Sequence, residues 1–355
     1  MTDEDFRYYQ EVRLVTLEAE VLEELEEQLG RPIPHTNEFD EHDWNWFGFI
    51  AEQNHVIELA LDNKELIRLP ASLGTLSHLR VLSLRNNQLQ TLPNTIGQLQ
   101  SLQKLDLWKN QLQSLPNTIG QLQRLQGLDL DYNQLQALPN TIGQLGSLQK
   151  LYLLRNNLQS LPETMKQLQR LQELELEGNL LEPFPEIVCQ LWSLEILCLG
   201  ENQLQELPES IGQLKNLRKF DLKRNQFRIL PDIIGQLQSL QELNLSENWL
   251  QALPETMGQL QNLQKLYLWG NLLHHSLTNM LTLLRLTQKN ENLTARIIPS
   301  ELFNHPLIQP LEPDSLICPS NSVCPFCGAS GLVSGREKKT NKERVFCSEC
   351  ENNIQ

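Results

Sequence analysis

The chain repeats itself with a fixed period of 23, and that period leaves few folds open to it. Residues 79–101 read LRVLSLRNNQLQTLPNTIGQLQS and residues 102–124 read LQKLDLWKNQLQSLPNTIGQLQR, and the series runs without insertion to about Leu273. Asparagine recurs at 87, 110, 133, 156, 179, 202, 225, 248 and 271, and proline at 70, 93, 116, 139, 162, 185, 208, 231 and 254. A unit this short cannot bury its own apolar face, so successive units must stack into one continuous core.

Within each unit the pattern L-x-x-L-x-L-x-x-N-x-L places a short strand at the central L-x-L. Ten such centres run from Leu59/Leu61 to Leu266/Leu268, with Phe220 replacing the first leucine in one of them. Alternate strand residues face opposite ways, so the leucines point into the core and the residue between them points out. The asparagine amide is expected to satisfy backbone groups at the turn inside the stack and to form an Asn-on-Asn ladder. Lys64 takes its place in the first unit, as suits an atypical terminal repeat. Proline is expected at the first position of one or two short helical turns. The expected fold is α/β: a leucine-rich repeat solenoid, horseshoe-shaped, with a parallel concave sheet of about ten strands and short helical turns on the convex side. Strands ~4.8 Å apart would give an inner face on the order of 45 Å long, enough for a folded protein.

Four segments follow from this reading: a cap over 1–55, the solenoid over 56–273, a closing cap and linker over 274–317, and a zinc ribbon over 318–355. Net charge is −15, and residues 1–55 hold 15 acidic side chains against 3 arginines. That balance disfavours bulk nucleic-acid binding, which needs clustered Lys and Arg. A helix is expected from Asp3 to Leu29, with Thr2 as its N-cap and with Leu14, Leu17, Val21, Leu25 and Leu29 as its apolar stripe. Gly30 and Pro32 would end it. Trp44, Trp46, Phe47 and Phe49 precede the first strand. They read as the core of the cap, with a partner-binding patch as the alternative. Residues 274–289 could form a closing helix, and the prolines at 299, 306, 310 and 313 make 290–317 a linker.

The outward columns vary from repeat to repeat while the core columns hardly do. Such variation arises either from neutral drift after duplication or from selection for a binding surface. Residue choice favours the surface. Trp108, Tyr132, Tyr152, Trp249, Tyr267 and Trp269 would be exposed aromatics, the type enriched at interface hot spots. Asp106, Asp129, Asp131 and Arg155 lie among them. Glu173, Glu175 and Glu177 would form an acidic strand, and Lys219, Lys223 and Arg224 a basic one. A patterned surface of this kind suits recognition of a protein.

The LPxxIGxL form of the repeat resembles the Ras-group leucine-rich repeat proteins of the intracellular type, over residues 56–273. The resemblance implies a non-enzymatic cytosolic adaptor, in some relatives one that engages small GTPases or phosphatases, and it carries over no catalytic residue. The acidic start MTDEDF has no signal-peptide pattern, no run of 18 apolar residues occurs, and no cysteine precedes Cys189. These features lead to the expectation of a cytoplasmic monomer without a membrane span.

In the tail, Cys324 and Cys327 form one C-x-x-C and Cys347 and Cys350 another, with the stretch 328–346 between the two pairs. That is zinc-ligand spacing, each knuckle presenting two thiolates to one tetrahedral ion. It resembles a zinc ribbon, with 332–334 and 344–346 pairing as a hairpin, and four thiolates would make the single zinc structural. Two disulfides are the alternative. The hairpin tip, Arg336 to Arg344, carries five basic and two acidic residues. It is either a solvated turn or a contact for nucleic acid, without the interleaved aromatics that base stacking uses. No Ser/His/Asp or Cys/His set, phosphate loop or open metal site is apparent, so an enzyme is not expected.

Overall fold

A computed structural model of the chain describes residues 5–39 and 45–273, together with the backbone of 294–296, 333–336 and 343–346. It divides into two compact units, Met1–Ile196 and Leu197–Gln355.

The first unit opens with a β-hairpin, β1 (Phe6–Tyr9) and β2 (Val12–Val15), followed by α1 (Thr16–Leu29). This corrects the single helix expected from Asp3. Aromatic and β-branched residues fill 6–15 and favour strand. Tyr9 pairs with Val12, so Gln10 and Glu11 form a two-residue turn, with Gln10 in the left-handed region at φ 53°. Val15 precedes the helix without a side-chain cap, Thr2 lies outside the described residues, and Gly30 ends α1 in the left-handed conformation. The buried face of α1 is Glu18, Ala19, Val21, Leu22 and Leu25, whereas Leu17 is exposed. A helix starting at Thr16 rather than Asp3 owes no continuity to Leu14, which is buried from β2 instead.

β3 (Phe47–Glu52) runs antiparallel to β4 (His55–Leu61) and covers the open edge of the array. Phe49 is fully buried, in edge-to-face contact with Tyr9 at 5.7 Å, so the cap-core reading holds for it. Trp46 stacks on Phe39 at 5.4 Å and stays half-buried, and Trp44 lies outside the described residues. Parallel to β4 follow β5 (Val81–Ser83), β6 (Lys104–Asp106), β7 (Gly127–Asp129), β8 (Lys150–Tyr152) and β9 (Glu173–Glu175). Each residue pairs with its equivalent in the next repeat, such as Leu82 with Leu105. β10 (Ile196–Cys198) lies at the boundary of the units.

In the second unit β11 (Lys219–Asp221), β12 (Glu242–Asn244) and β13 (Lys265–Tyr267) keep the same register. β14 (Thr294–Arg296) adds a further parallel strand beside β13. It falls in the stretch 290–317 expected to be linker, with the β-branched Thr294 at its start. The expected closing helix at 274–289 lies outside the described residues. β15 (Val333–Arg336) and β16 (Glu343–Phe346) form the antiparallel hairpin read from the tail, with Arg336 opposite Glu343.

Opposite the strands, each repeat makes a five-residue 3-10 turn, such as Asn94–Gln98 and Asn117–Gln121. Proline precedes the turn rather than entering it: Pro93 is extended at φ −66° and ψ 147°. Its fixed φ suits either state, and the extended ψ is what carries the chain across the core edge before it coils.

The asparagine column links repeats through the backbone. Asn156 Nδ2 donates to Leu130 O of the preceding repeat (3.0 Å) and to its own Leu153 O (3.2 Å), and Oδ1 accepts from Leu135 N (3.0 Å). The rungs are therefore amide-to-backbone, not the Asn-on-Asn contacts expected, because one amide reaches carbonyls on two consecutive turns. Removing one leaves buried N–H and C=O groups unpaired at ~1–3 kcal/mol each. Asn156→Ala is expected to lower the unfolding free energy by that order, and the denaturant midpoint with it. An unchanged midpoint in urea titration would show that the column carries no stability.

Candidate functional site

The first and third residues of each strand, and the two residues after the buried leucine that follows it, form the outward face of the sheet. In the first unit this face gathers Asp106, Trp108, Asp129, Asp131, Tyr132, Tyr152, Arg155, Glu175 and Glu177 along four successive repeats, β6 to β9.

Burial of the third-residue column departs from simple alternation. Ala60, Ser83, Asp106, Cys198 and Asp221 are buried, and Asp129, Tyr152, Glu175, Asn244 and Tyr267 are half-buried. Long neighbours shield them: Arg85 Nε reaches Asp106 Oδ2 at 2.6 Å. Nor are the acids of this column freely chosen. Asp106 accepts from Trp108 N, Asp129 from Asp131 N, Glu175 from Glu177 N, Asp221 from Lys223 N and Asn244 from Ser246 N, at 3.0–3.2 Å. A short acceptor side chain bonding the main chain two residues on is a turn device. These positions were read as released from packing, and the turn accounts for part of their residue choice.

The next column is a turn, not a strand. Asn86, Lys109, Tyr132, Arg155, Glu201, Arg224 and Glu247 all have φ between 49° and 54°, and Gly178 and Gly270 sit there at 69° and 70°. Tyr132, Arg155 and Arg224 thus project from left-handed residues just before the ladder asparagine. Strand periodicity carried no signal of this; the two glycines in the column were the available clue.

Aromatic and acidic groups converge at the middle of the first unit. Trp108 and Tyr132 pack edge to face at 5.9 Å, with Lys109 Nζ 5.6 Å from the Trp108 ring. Beside them, Asp131 Oδ1 accepts from Leu154 N at 2.6 Å. Burial, then the charge of Asp131's neighbour Asp129, pushes the Asp131 carboxyl up to about 8. Asp129 is also raised, by burial and then by Asp106. Tyr152 donates to Glu173 Oε2 at 2.5 Å, and Lys150 Nζ lies 2.8 Å from Glu173 Oε1. Burial raises the Tyr152 hydroxyl, and the bond to Glu173 adds to it. At Glu173 burial acts upward, but the bonds from Lys150 and Tyr152 outweigh it and hold the carboxyl below its usual range. Lys150 and Glu173 occupy first strand positions, a column the alternation rule could have supplied.

The second unit holds Lys219, Lys223, Arg224, Trp249, Tyr267 and Trp269. The expected basic strand is offset by acids, because Arg224 bridges Glu247 at 2.7 Å and Glu201 at 2.9 Å. Trp249 is not on the strand. It follows ladder residue Asn248, half exposed, with the Arg228 guanidinium 5.7 Å from its ring. Cys189 and Cys198 are both buried and form no disulfide. Cys324, Cys327, Cys347 and Cys350 lie outside the described residues, as does the loop 337–342 between β15 and β16. Among the described residues no helix is long and apolar enough to cross a membrane.

Residues 55–177 match the family model of a leucine-rich repeat region, and residues 216–237 and 239–260 match that of the leucine-rich repeat. No curated protein matches the chain. Among solved structures, it is similar to the ectodomain of the Arabidopsis thaliana membrane receptor kinase GASSHO1/SCHENGEN3 in complex with CASPARIAN STRIP INTEGRITY FACTOR 2. Identity there is 31%, over 66% of this chain and 30% of the receptor chain, with a TM-score of 0.59. The Arabidopsis receptor kinase HAESA, in complex with the peptide hormone IDA and the co-receptor SERK1, is 29% identical over 65% of this chain and 42% of that one, with a TM-score of 0.57. The chain thus spans less than half the length of either receptor chain. A plant ice-binding protein, 23% identical over 73% of this chain and 87% of its own (TM-score 0.59), shares the fold.

Asp131's folded pKa lies above its unfolded value near 3.8. The native state therefore binds the extra proton between about pH 4 and 8, and stability falls as pH rises through that window. Asp131→Asn keeps an acceptor for Leu154 N and removes the ionisation. The variant is expected to lose part of the decline in Tm between pH 5 and 9. Superimposable wild-type and variant pH profiles would contradict the assignment.

Proposed function

We infer that this leucine-rich repeat chain is a non-enzymatic protein-interaction scaffold, with the outward sheet face of its first unit as the docking surface. The observation that carries the reading is the convergence there of the Trp108–Tyr132 pair with the carboxylates of Asp129 and Asp131. Aromatic anchors supply contact area at low entropic cost, and desolvated carboxylates select a cationic complement. The partner is a folded protein presenting Lys or Arg beside an apolar spot. Arg155, Glu175 and Glu177 border this surface. In the second unit Lys223, Tyr267 and Trp269 offer a further contact. The ligands and co-receptor bound in the two Arabidopsis receptor complexes support the general role. The repeat form supports a Ras-group type of cytoplasmic scaffold, with a signalling protein such as a small GTPase as the class of partner. The chain acts as a monomer.

In the tail, Cys324, Cys327, Cys347 and Cys350 hold one structural zinc ion, on the strength of their spacing. A second reading, docking to nucleic acid, rests on the hairpin of β15 and β16, whose tip lies in the basic stretch from Arg336 to Arg344.

Capture from native lysate separates these readings. Trp108→Ala/Tyr132→Ala/Tyr152→Ala is expected to lose at least tenfold in recovered partner, unaffected by nuclease. Recovery that survives the triple variant but is abolished by nuclease would transfer the function to the hairpin. For the tail, metal analysis after dialysis should find one tightly held zinc per chain, absent from Cys347→Ser/Cys350→Ser. A metal content equal in the variant and the wild type would rule out the cysteine site.

A further inference from the structure

Glu18 is a carboxylate with 2% exposure in the first turn of α1. Its Oε2 accepts from Val56 N at 2.7 Å, and its Oε1 lies 2.8 Å from His55 Nδ1. The His55 ring stacks on His78, with centroids 3.6 Å apart and planes 23° from parallel. One donor atom from each of the three residues falls within 4.8 Å of the other two, and among the described residues no other such group of histidines, cysteines and acids occurs. They come from three separate places: the cap helix, the start of β4, and the loop between the first 3-10 turn and β5.

We propose that Glu18, His55 and His78 form a binding site for a divalent transition-metal ion, a clasp between the N-terminal cap and the first repeats. Two stacked imidazoles make no hydrogen bond to each other, so neither ring uses up the other's nitrogen lone pair. As neutral rings each offers a nitrogen lone pair, and the buried carboxylate beside them supplies the anion. Two imidazoles and one carboxylate suit Zn²⁺, and also Co²⁺, Ni²⁺ and Cu²⁺. Zinc bonds of roughly 2.0–2.2 Å put tetrahedral donors about 3.3–3.6 Å apart. The Glu18–His55 pair is already closer than that, and the exposed His78, whose Nδ1 lies 3.3 Å from Ser77 Oγ, is the ligand that has to turn for its lone pair to meet the ion. The ion takes the place of the proton shared between Glu18 Oε1 and His55 Nδ1. The bond from Val56 N fixes the carboxylate, as outer-shell donors do in metal sites. Water completes the coordination, so the ion is exchangeable.

Full-length protein, freed of loosely held metal and with its tail cysteines intact, would be titrated with ZnCl₂ by calorimetry beside His78→Ala. Position 78 is exposed, so the variant keeps the fold, which circular dichroism confirms. Wild type is expected to take up one zinc more per chain than His78→Ala and to melt several degrees higher with zinc than without. His78→Ala should show neither change. Co²⁺ bound at this extra site should give weak visible bands without the sulfur-to-metal absorption of a thiolate centre, which separates it from the tail. Equal uptake and equal melting shifts in both proteins would overturn the proposal, as would sulfur-to-cobalt absorption accounting for every ion bound. Glu18→Gln, which retains an acceptor for Val56 N, should weaken the extra site at least tenfold.

Discussion

The asparagine amide that bonds the backbone of two successive repeats is the interaction on which the array depends. Asn87, Asn110, Asn133 and Asn156 each donate to the carbonyl 26 residues back and to the one 3 back, and each accepts from an N–H 21 residues back. Parallel strands of three residues leave most of a repeat's backbone unpaired by the sheet. A buried orphan amide costs as much as a core methyl group or more, so this column decides whether the turn between strand and convex segment can be interior at all. Its demands spread outward. The residue before it must turn left-handed, whatever its side chain. On the other edge the turns pack so closely that a Cβ on Gly97 would meet Thr118 O at 2.5 Å, which a substituted side chain could not relieve without moving backbone. Asparagine, glycine and proline set the frame, and leucine fills it.

A frame so tightly specified makes the outward face a crowded place rather than a blank one. Each repeat must present its columns in register with the last, so like residues in one column are stacked as strand neighbours. Aspartates at 106 and 129 therefore face each other's charge on half-dry ground, and Asp131 is added by the same geometry. Burial first, and then the neighbouring charge, raise Asp129 and Asp131, and a cation brought to this face would relieve the second of these two effects. In the second unit the Arg224 bridge between Glu201 and Glu247 offsets a comparable concentration of charge internally.

How much of this was legible in the sequence follows from which forces have a short period. Core leucines, ladder asparagines and strand register could be read because each recurs once per repeat and packing allows little else. The hairpin at 6–15 could not, because it precedes the repeat, and helix and strand patterns overlap on so short a stretch. Glu18 lies off the apolar stripe of the expected helix, and the partners that bury it, His55 and Val56, are 37 and 38 residues away. Trp249 was assigned to the strand although the backbone leaves the sheet before the asparagine. The acids at 106, 129 and 175 looked like a binding pattern, and half of their role is to hold the turn two residues on.

The cap and the array solve the same problem with different chemistry. Inside the array, buried backbone groups are met by neutral amides, whose bonds do not titrate. At the open end the ladder has no preceding repeat to bond, and ionisable groups take over. Lys64 stands in the asparagine column, donates to Asp62 O at 2.7 Å, and holds its ammonium 4.4 Å above the Phe47 ring. Burial and then the charge of Arg31 lower its pKa. Asp62, fully buried, accepts from Ser83 Oγ and Arg85 N while burial pushes its carboxyl upward. Glu18, with His55 beside it, meets the backbone N–H of Val56 at the start of β4. A terminal repeat must end a polar column in partial contact with water, where an amide has no next carbonyl to reach and a charge can still find solvent or a ring face. Sensitivity to protons is therefore concentrated at the cap and on the outward face, while the ladder asparagines carry no ionisable group.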